Sequence, residues 1–384
     1  MTLNKTFFIN SFSALSVFFL VASPTLKGVV YSSSIFNFIP VFLFSVAIVL
    51  QGVVHRVFKS INNSLVPLFL GFLMLFVCLF VIYFGFPDLV EIMKYVMLFL
   101  IVIIIPHVVT LKALEVSYML LFLWGVFLAV KKVFFTIQFT DEFHYLTLGL
   151  AIAVMIIISF FKLLYEKSFF YRLIFFFGLL IGYVALLKLF GRSPLLFPTL
   201  LIVSYLFFNF LNGLSNFKVK STLMYLLVLI GLFKVITVII ENYIPVYLLS
   251  KFSEMGIGNS DSRTDALYIP AMHSIMSNPL GTGLGSSQKI IGFYPHNIFL
   301  EIGIDSGFIG ILFFLILITR AFFNSVKILK MKDSNVTLII MIFIFWLLFL
   351  FWNVSYGLSS ASALFAFLSL MHSYKFIKIK SFQN

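Results

Sequence analysis

Apolar runs long enough to cross a hydrocarbon core of about 30 Å recur at residues 7–23, 35–54, 65–86, 92–109, 113–130, 144–161, 169–189, 194–212, 222–240, 297–319, 336–353 and 357–374. They predict an all-α, polytopic integral membrane protein with about 12 transmembrane helices. No repeat of fixed period, low-complexity linker or inverted symmetry divides the pattern, so residues 1–384 read as a single membrane domain. Missing inverted symmetry also lowers the case for a secondary transporter. One stretch interrupts the pattern: residues 241–296, polar and Gly-rich, read as a large loop. Within it Leu267, Ile269, Met272, Ile275 and Met276 recur at helical spacing, with Ser262 or Thr264 as N-caps and Asn278-Pro279 as a stop. That spacing predicts a short amphipathic helix over 264–277, lying on the membrane surface and kinked at Pro270.

Composition agrees with the pattern. Residues of hydrophobic type make up 62% and charged residues 10%, and the mean hydropathy is +1.15, far from the globular range. The 53 Phe residues suit lipid-contacting and groove-lining surfaces, as well as an AT-rich genome. A lone Cys78 in an apolar run excludes an intrachain disulfide and a cysteine metal cluster. In a soluble chain a net charge of +13 would point to nucleic acid; here the charge sorts by side instead. With the N-terminus in the cytoplasm, 16 of the 26 Lys and Arg residues fall on the inner side and 8 on the outer. Both termini are therefore expected inside, with 241–296 on the outer face, the periplasm of a Gram-negative cell. Lys5 before an apolar run resembles a signal sequence, with Val21-Ala22-Ser23 as a weak cleavage motif, but further spans follow and a retained first helix is expected.

The outer segment concentrates ionisable groups. Residues 241–305 carry six of the thirteen acids, Glu241, Glu254, Asp261, Asp265, Glu301 and Asp305, and two of the six histidines, His273 and His296. Arg263 precedes the predicted surface helix, where a guanidinium can grip an anion in bidentate fashion; an ion pair with Asp261 or Asp265 is the alternative. Gly191-Arg192-Ser193-Pro194 is a tight outer-face connection, with Lys188 one helical turn upstream. Positive charge there opposes the topological bias and suits anion binding, although a Lys/Arg pair reaching headgroup phosphates is the competing account. His296 and Asn297 stand at the start of a span, where capping alone would explain either. A neutral imidazole beside arginines can also act as a general base. Gly281, Gly283 and Gly285 lack dinucleotide spacing and let the loop fold tightly. Lys94 and Lys234 within spans suit either snorkelling or a transport pathway. Signatures of metal-dependent sugar-nucleotide transfer, zinc hydrolysis, nucleotide hydrolysis and the serine-hydrolase elbow are missing, and no cofactor or metal is expected.

The Gly-Arg-Ser turn at 191–193, the loop arginine, Pro279-Leu280-Gly281-Thr282-Gly283-Leu284-Gly285, and the run from Pro295-His296-Asn297 through Glu301 to Gly310 resemble the O-antigen ligase and polymerase family. The resemblance covers about residues 188–320; before that only hydropathy matches. It implies a glycosyltransferase whose donor is an undecaprenyl-pyrophosphate-linked glycan, with Arg192 and Arg263 on the pyrophosphate and His296 activating the acceptor hydroxyl, without metal. Lys188, Asn297 and Tyr268 are further candidate substrate-binding residues; Tyr268 stands where the family commonly has Trp, and Gly-Arg-Ser where it often has Ser-Arg-Gly. The partners the resemblance implies are a lipid-linked donor and acceptor, membrane lipid, a chain-length regulator and a flippase, with no nucleic acid. Repeat-unit polymerisation is favoured over ligation to lipid A-core. A flippase for lipid-linked oligosaccharide is the alternative from another class, and it would not need so long an outer loop.

Overall fold

The computed structural model describes residues 2–29, 35–51, 89–135, 145–189, 192–215, 264–293, 295–331 and 335–382. The predicted spans at 65–86 and 222–240, Lys234, Arg263 and the loop stretch 241–263 lie outside the described residues. Every regular element described is helical: α1 Thr2–Val29, α2 Ile35–Gln51, α3 Leu89–Val108, α4 Leu111–Phe134, α5 Tyr145–Tyr165, α6 Phe169–Leu187, α7 Arg192–Ser215, a π turn Thr264–Tyr268, α8 Ile269–Ser277, α9 Ser287–Ile291, α10 Ile298–Lys330, α11 Val336–Trp352, a 3-10 turn Leu358–Ser360 and α12 Ser362–Phe382. Among the described residues six helices are long and apolar enough to cross a membrane, within α1, α4, α5, α6, α7 and α10. The protein is membrane-embedded, and its described regular elements are all helices.

The described residues divide into two compact units, one drawn from residues 1–123 and 261–384 and the other from residues 124–139 and 144–260. In the first unit α1 packs on α2, α2 on α3, and α12 against α3, α10 and α11, while α8 lies along α10. Polar side chains mend the backbone where the sequence breaks it. Pro106 has no N–H for the Val102 carbonyl one turn earlier in α3. Ser369 of α12 donates its hydroxyl to that carbonyl at 2.7 Å. Thr110, just before α4, accepts the Ala113 N–H at 3.1 Å and donates to Asn10 of α1 at 2.7 Å, so one hydroxyl both caps a helix and ties two together.

The second unit is built around α5, which packs on α6 and α7 and is buried from Leu148 to Lys162. Close approach depends on residues without a side chain: a Cβ at Gly149 would stand 2.4 Å from Pro194, and one at Gly182 would stand 2.5 Å from Met155. Tyr183 and Thr199 share a hydrogen bond of 3.2 Å between α6 and α7, and the Phe161 and Tyr205 rings meet edge to face at 4.9 Å. On α6, Phe169, Phe170, Tyr171 and Phe177 point outward, as lipid contact requires.

Three elements differ from the sequence expectation. Helix α10 does not stop near residue 319 but runs to Lys330, so Arg320, Lys327 and Lys330, expected in a loop, are helical. No Gly or Pro follows Gly310 to end it, and buried Phe314, Ile318, Ala321, Ser325 and Ile328 keep helical spacing through the charged stretch. Residues 264–277 form not one kinked helix but a π turn followed by α8, with Pro270 in the first turn of α8, where its missing N–H is tolerated. The last predicted span, 357–374, is a 3-10 turn followed by α12, which continues to Phe382.

Candidate functional site

The site begins with a break in α10. Gly307 adopts φ 64° and ψ −162°, so the first turns, from Ile298 to Ser306, are offset from the rest of the helix. Such a conformation belongs to glycine, and a Cβ there would stand 2.0 Å from the Pro279 carbonyl oxygen. The break frees the carbonyls of Ile304 and Asp305 from the helical ladder, and the Gly-rich loop supplies replacements. Thr282 N–H donates to Ile304 O at 2.9 Å, Gly283 N–H to Asp305 O at 2.9 Å, and Phe308 N–H to Pro279 O at 3.0 Å. Gly281, at φ 84°, passes so near that a Cβ would meet Asp305 O at 2.5 Å. The expectation that these glycines let the loop fold tightly is met in detail.

The Asp305 carboxylate, with no exposed surface, fixes the same loop from within. Its Oδ2 accepts the Gly285 N–H at 2.9 Å and its Oδ1 the Ser286 hydroxyl at 3.2 Å, while Thr282 and Ser286 hydroxyls share a bond of 2.6 Å. Burying a carboxylate is unfavourable unless donors surround it, and this loop provides them. On the other side, Ala271 and Ile275 of α8 and Ile304 of α10 form a small apolar core.

His296 and Asn297, two adjacent residues that spacing alone could not separate, divide their tasks. Asn297 is the N-cap of α10, its Oδ1 accepting the N–H groups of Phe299 at 3.0 Å and Leu300 at 3.2 Å. His296 does not cap. Its backbone is left-handed, φ 53°, the one such non-glycine among the described residues. Its Nδ1 lies 3.1 Å from the Ser355 carbonyl oxygen. A carbonyl only accepts, so Nδ1 carries the proton and Nε2 is the basic nitrogen of the neutral ring. One turn into α10, the buried Glu301 accepts the Leu358 N–H at 2.6 Å.

The other expected residues are placed as follows. Tyr268, half-buried, ends the π turn at the head of α8, and His273 is exposed on α8. Lys188 and Arg192 belong to the second unit, at the α6–α7 connection: Arg192 is the first residue of α7, and Lys188 follows α6 and donates to the Val133 carbonyl at 2.9 Å, within electrostatic reach of Lys132. Arg263 lies outside the described residues. Among the described residues no three His, Cys, Asp or Glu side chains converge as metal ligands. Sequence reasoning counted Glu301 and Asp305 as ionisable but gave neither a task; the available signal was a carboxylate within an apolar run. Ser355, which acts through its backbone, carried no signal.

Comparison of the chain with family models, with curated proteins and with solved structures finds no match. The class is therefore defined by the molecule itself: a membrane-embedded helical protein in which a Gly-rich loop is stapled to a broken helix headed by a strained histidine.

Proposed function

We propose that the protein is a bacterial inner-membrane glycosyltransferase that polymerises undecaprenyl-pyrophosphate-linked oligosaccharide repeat units, as in O-antigen or other surface polysaccharide synthesis. In this reading about 12 helices span the membrane, both termini are cytoplasmic and the 241–296 loop faces the periplasm. The support from sequence is the order and spacing of Gly-Arg-Ser, the loop arginine, the Gly-rich stretch and Pro295-His296-Asn297. The observation that carries the reading is His296, held at φ 53° with Nδ1 on a carbonyl. Backbone strain of this kind persists where the surroundings enforce it and clusters at functional sites.

The chemistry follows without nucleotide or metal. Nε2 of His296 takes the proton of the acceptor sugar hydroxyl, whose oxygen bonds to the donor's anomeric carbon as the bond from that carbon to the pyrophosphate oxygen breaks. Undecaprenyl pyrophosphate leaves, and attack opposite the leaving group inverts the anomeric centre. The resemblance assigns the pyrophosphate to Arg192 and Arg263, whose guanidinium forks suit the charge gathering there, and Lys188 is assigned to substrate binding. Asn297 and Tyr268 are assigned to substrate binding. Outside the cytoplasm the leaving group must come with the donor, and a polyprenyl pyrophosphate brings it.

The test is transfer by protein purified into nanodiscs and supplied with a lipid-linked repeat unit. A ladder of lipid-linked oligomers that survives a chelator is expected, and transfer only when lipid A-core is added would identify a ligase instead. Arg263→Lys is expected to lose nearly as much activity as Arg263→Ala, because a point charge cannot reproduce a bidentate clamp. Full activity of the lysine variant would remove Arg263 from the site.

A further inference from the structure

Residues 353–361, between α11 and α12, form a short strap whose only regular element is the 3-10 turn Leu358–Ser360. The strap meets the head of α10 at two points. Ser355 O receives the His296 Nδ1–H at 3.1 Å, and Leu358 N–H donates to the Glu301 carboxylate at 2.6 Å. Its entry is held separately, since Trp352 Nε1–H donates to Gly357 O at 3.2 Å and the Trp352 ring stacks on Tyr356 at 4.6 Å. Glu301 is only 4% exposed. A helix start capped by Asn297 does not need a buried acid, and an apolar side chain there would avoid the desolvation cost. The carboxylate needs a reason to be retained, and its position supplies one.

We propose that Glu301 is a positioning residue for His296, acting through the strap. By holding Leu358 N–H, Glu301 fixes the strap so that the Ser355 carbonyl faces Nδ1. That carbonyl admits only the tautomer with the proton on Nδ1, which makes Nε2 the base. Without the anchor the strap shifts, and the ring takes either tautomer and more than one orientation. The inference rests on His296 being the general base of the proposed transfer, but the tautomer can be read without any transfer at all.

Two measurements on nanodisc-embedded full-length protein test it. The first is the steady-state rate of oligomer formation from a lipid-linked repeat unit. Glu301→Ala is expected to lower kcat by about 10–100-fold, the loss typical when a metal-bound histidine loses the partner that orients it, taken here for a histidine base, with KM for the donor unchanged. Glu301→Gln, which keeps an oxygen for Leu358 N–H but loses the charge, should restore most of the rate; a merely structural acid at a helix N-terminus would not be rescued by a neutral amide. Leu358→Pro removes the same hydrogen bond from the other side, at the first position of its turn where proline is tolerated, and should match Glu301→Ala. It serves as the independent variant if Glu301→Ala does not fold. The second measurement is the ring nitrogen spectrum of ¹⁵N-histidine-labelled protein, with His296 assigned by its loss in His296→Asn. Wild type and Glu301→Gln should show protonated Nδ1, and Glu301→Ala and Leu358→Pro a mixture of tautomers. An unchanged tautomer in both disruptive variants would overturn the inference, whatever happens to the rate, as would wild-type kcat in either of them. A tautomer change in a protein that forms no oligomer from any lipid-linked unit would leave Glu301 as the positioning residue and sink the polymerase reading alone.

Discussion

Helix α5 and the first turns of α10 are each buried within their own unit, on opposite terms. From Leu148 to Phe161 the buried side chains of α5 are apolar except Ser159, and its neighbours fit by shape, Pro194 against Gly149 and Met155 against Gly182. Such an element is specified by volume and by close packing. From Ile298 to Gly307, α10 buries Glu301, Asp305 and Ser306 and breaks its own ladder. Each carboxylate then commits particular donors: the Gly285 N–H and Ser286 hydroxyl for Asp305, the Leu358 N–H for Glu301. A stable bundle could have been made on the terms of α5 throughout. Departures from local rules tend to gather at functional sites, and here the departures converge on the segment that carries His296.

The sharpest way to break this contrast is at Gly307. Gly307→Ala forces a Cβ to within 2.0 Å of Pro279 O in a conformation glycine alone adopts readily, so a loss of more than about 3 kcal/mol is expected. Thermal unfolding in detergent should show a strongly lowered midpoint or no folded fraction. A variant as stable as wild type would mean that the loop and the break are not coupled. Next in size is Asp305→Ala, which leaves the Gly285 N–H without its acceptor and the Ser286 hydroxyl with Thr282 as its remaining partner. Orphaned buried groups cost about 1–3 kcal/mol each. Limited proteolysis should then cut first between residues 279 and 287, and resistance there equal to wild type would contradict the staple. The mildest change falls on the apolar side of the comparison. Met155→Leu conserves volume in α5 and should cost less than about 1.5 kcal/mol, with the transfer rate of the folded protein unaltered. A large drop in rate from this substitution would show that α5 is more than scaffold.

Much of the fold was legible from hydropathy. The expected spans 144–161, 169–189 and 194–212 correspond to α5, α6 and α7, displaced by no more than a few residues at each end. Apolar length is a local property, so the chain states it locally. The break in α10 is different. Gly303, Gly307 and Gly310 all stand in an apolar run, and which of them leaves the helix depends on the arrival of the Pro279 carbonyl from a distant loop. The extension of α10 to Lys330 was hidden because lysines and arginines read as loop, whereas their stems cover a helix face readily. At the site, spacing narrowed capping to two adjacent residues, and only the geometry of Asn297 Oδ1 assigns it. The partner of His296 could not be foreseen, because a backbone carbonyl has no letter in the sequence.

The proposed role of His296 as the base of a glycosyl transfer is measured most directly by the turnover of His296→Asn in nanodiscs with a lipid-linked repeat unit, alongside its thermal midpoint. Because Asn297 already caps α10, the substitution should leave α10 folded and donor binding intact. Asparagine also tolerates the left-handed backbone at this position. Loss of a positioned base lowers rate by about 10²–10⁴-fold, so the account predicts a variant that unfolds at nearly the wild-type temperature, binds the lipid-linked donor and forms almost no oligomer. A folded His296→Asn protein that extends oligomers at close to the wild-type rate would contradict it.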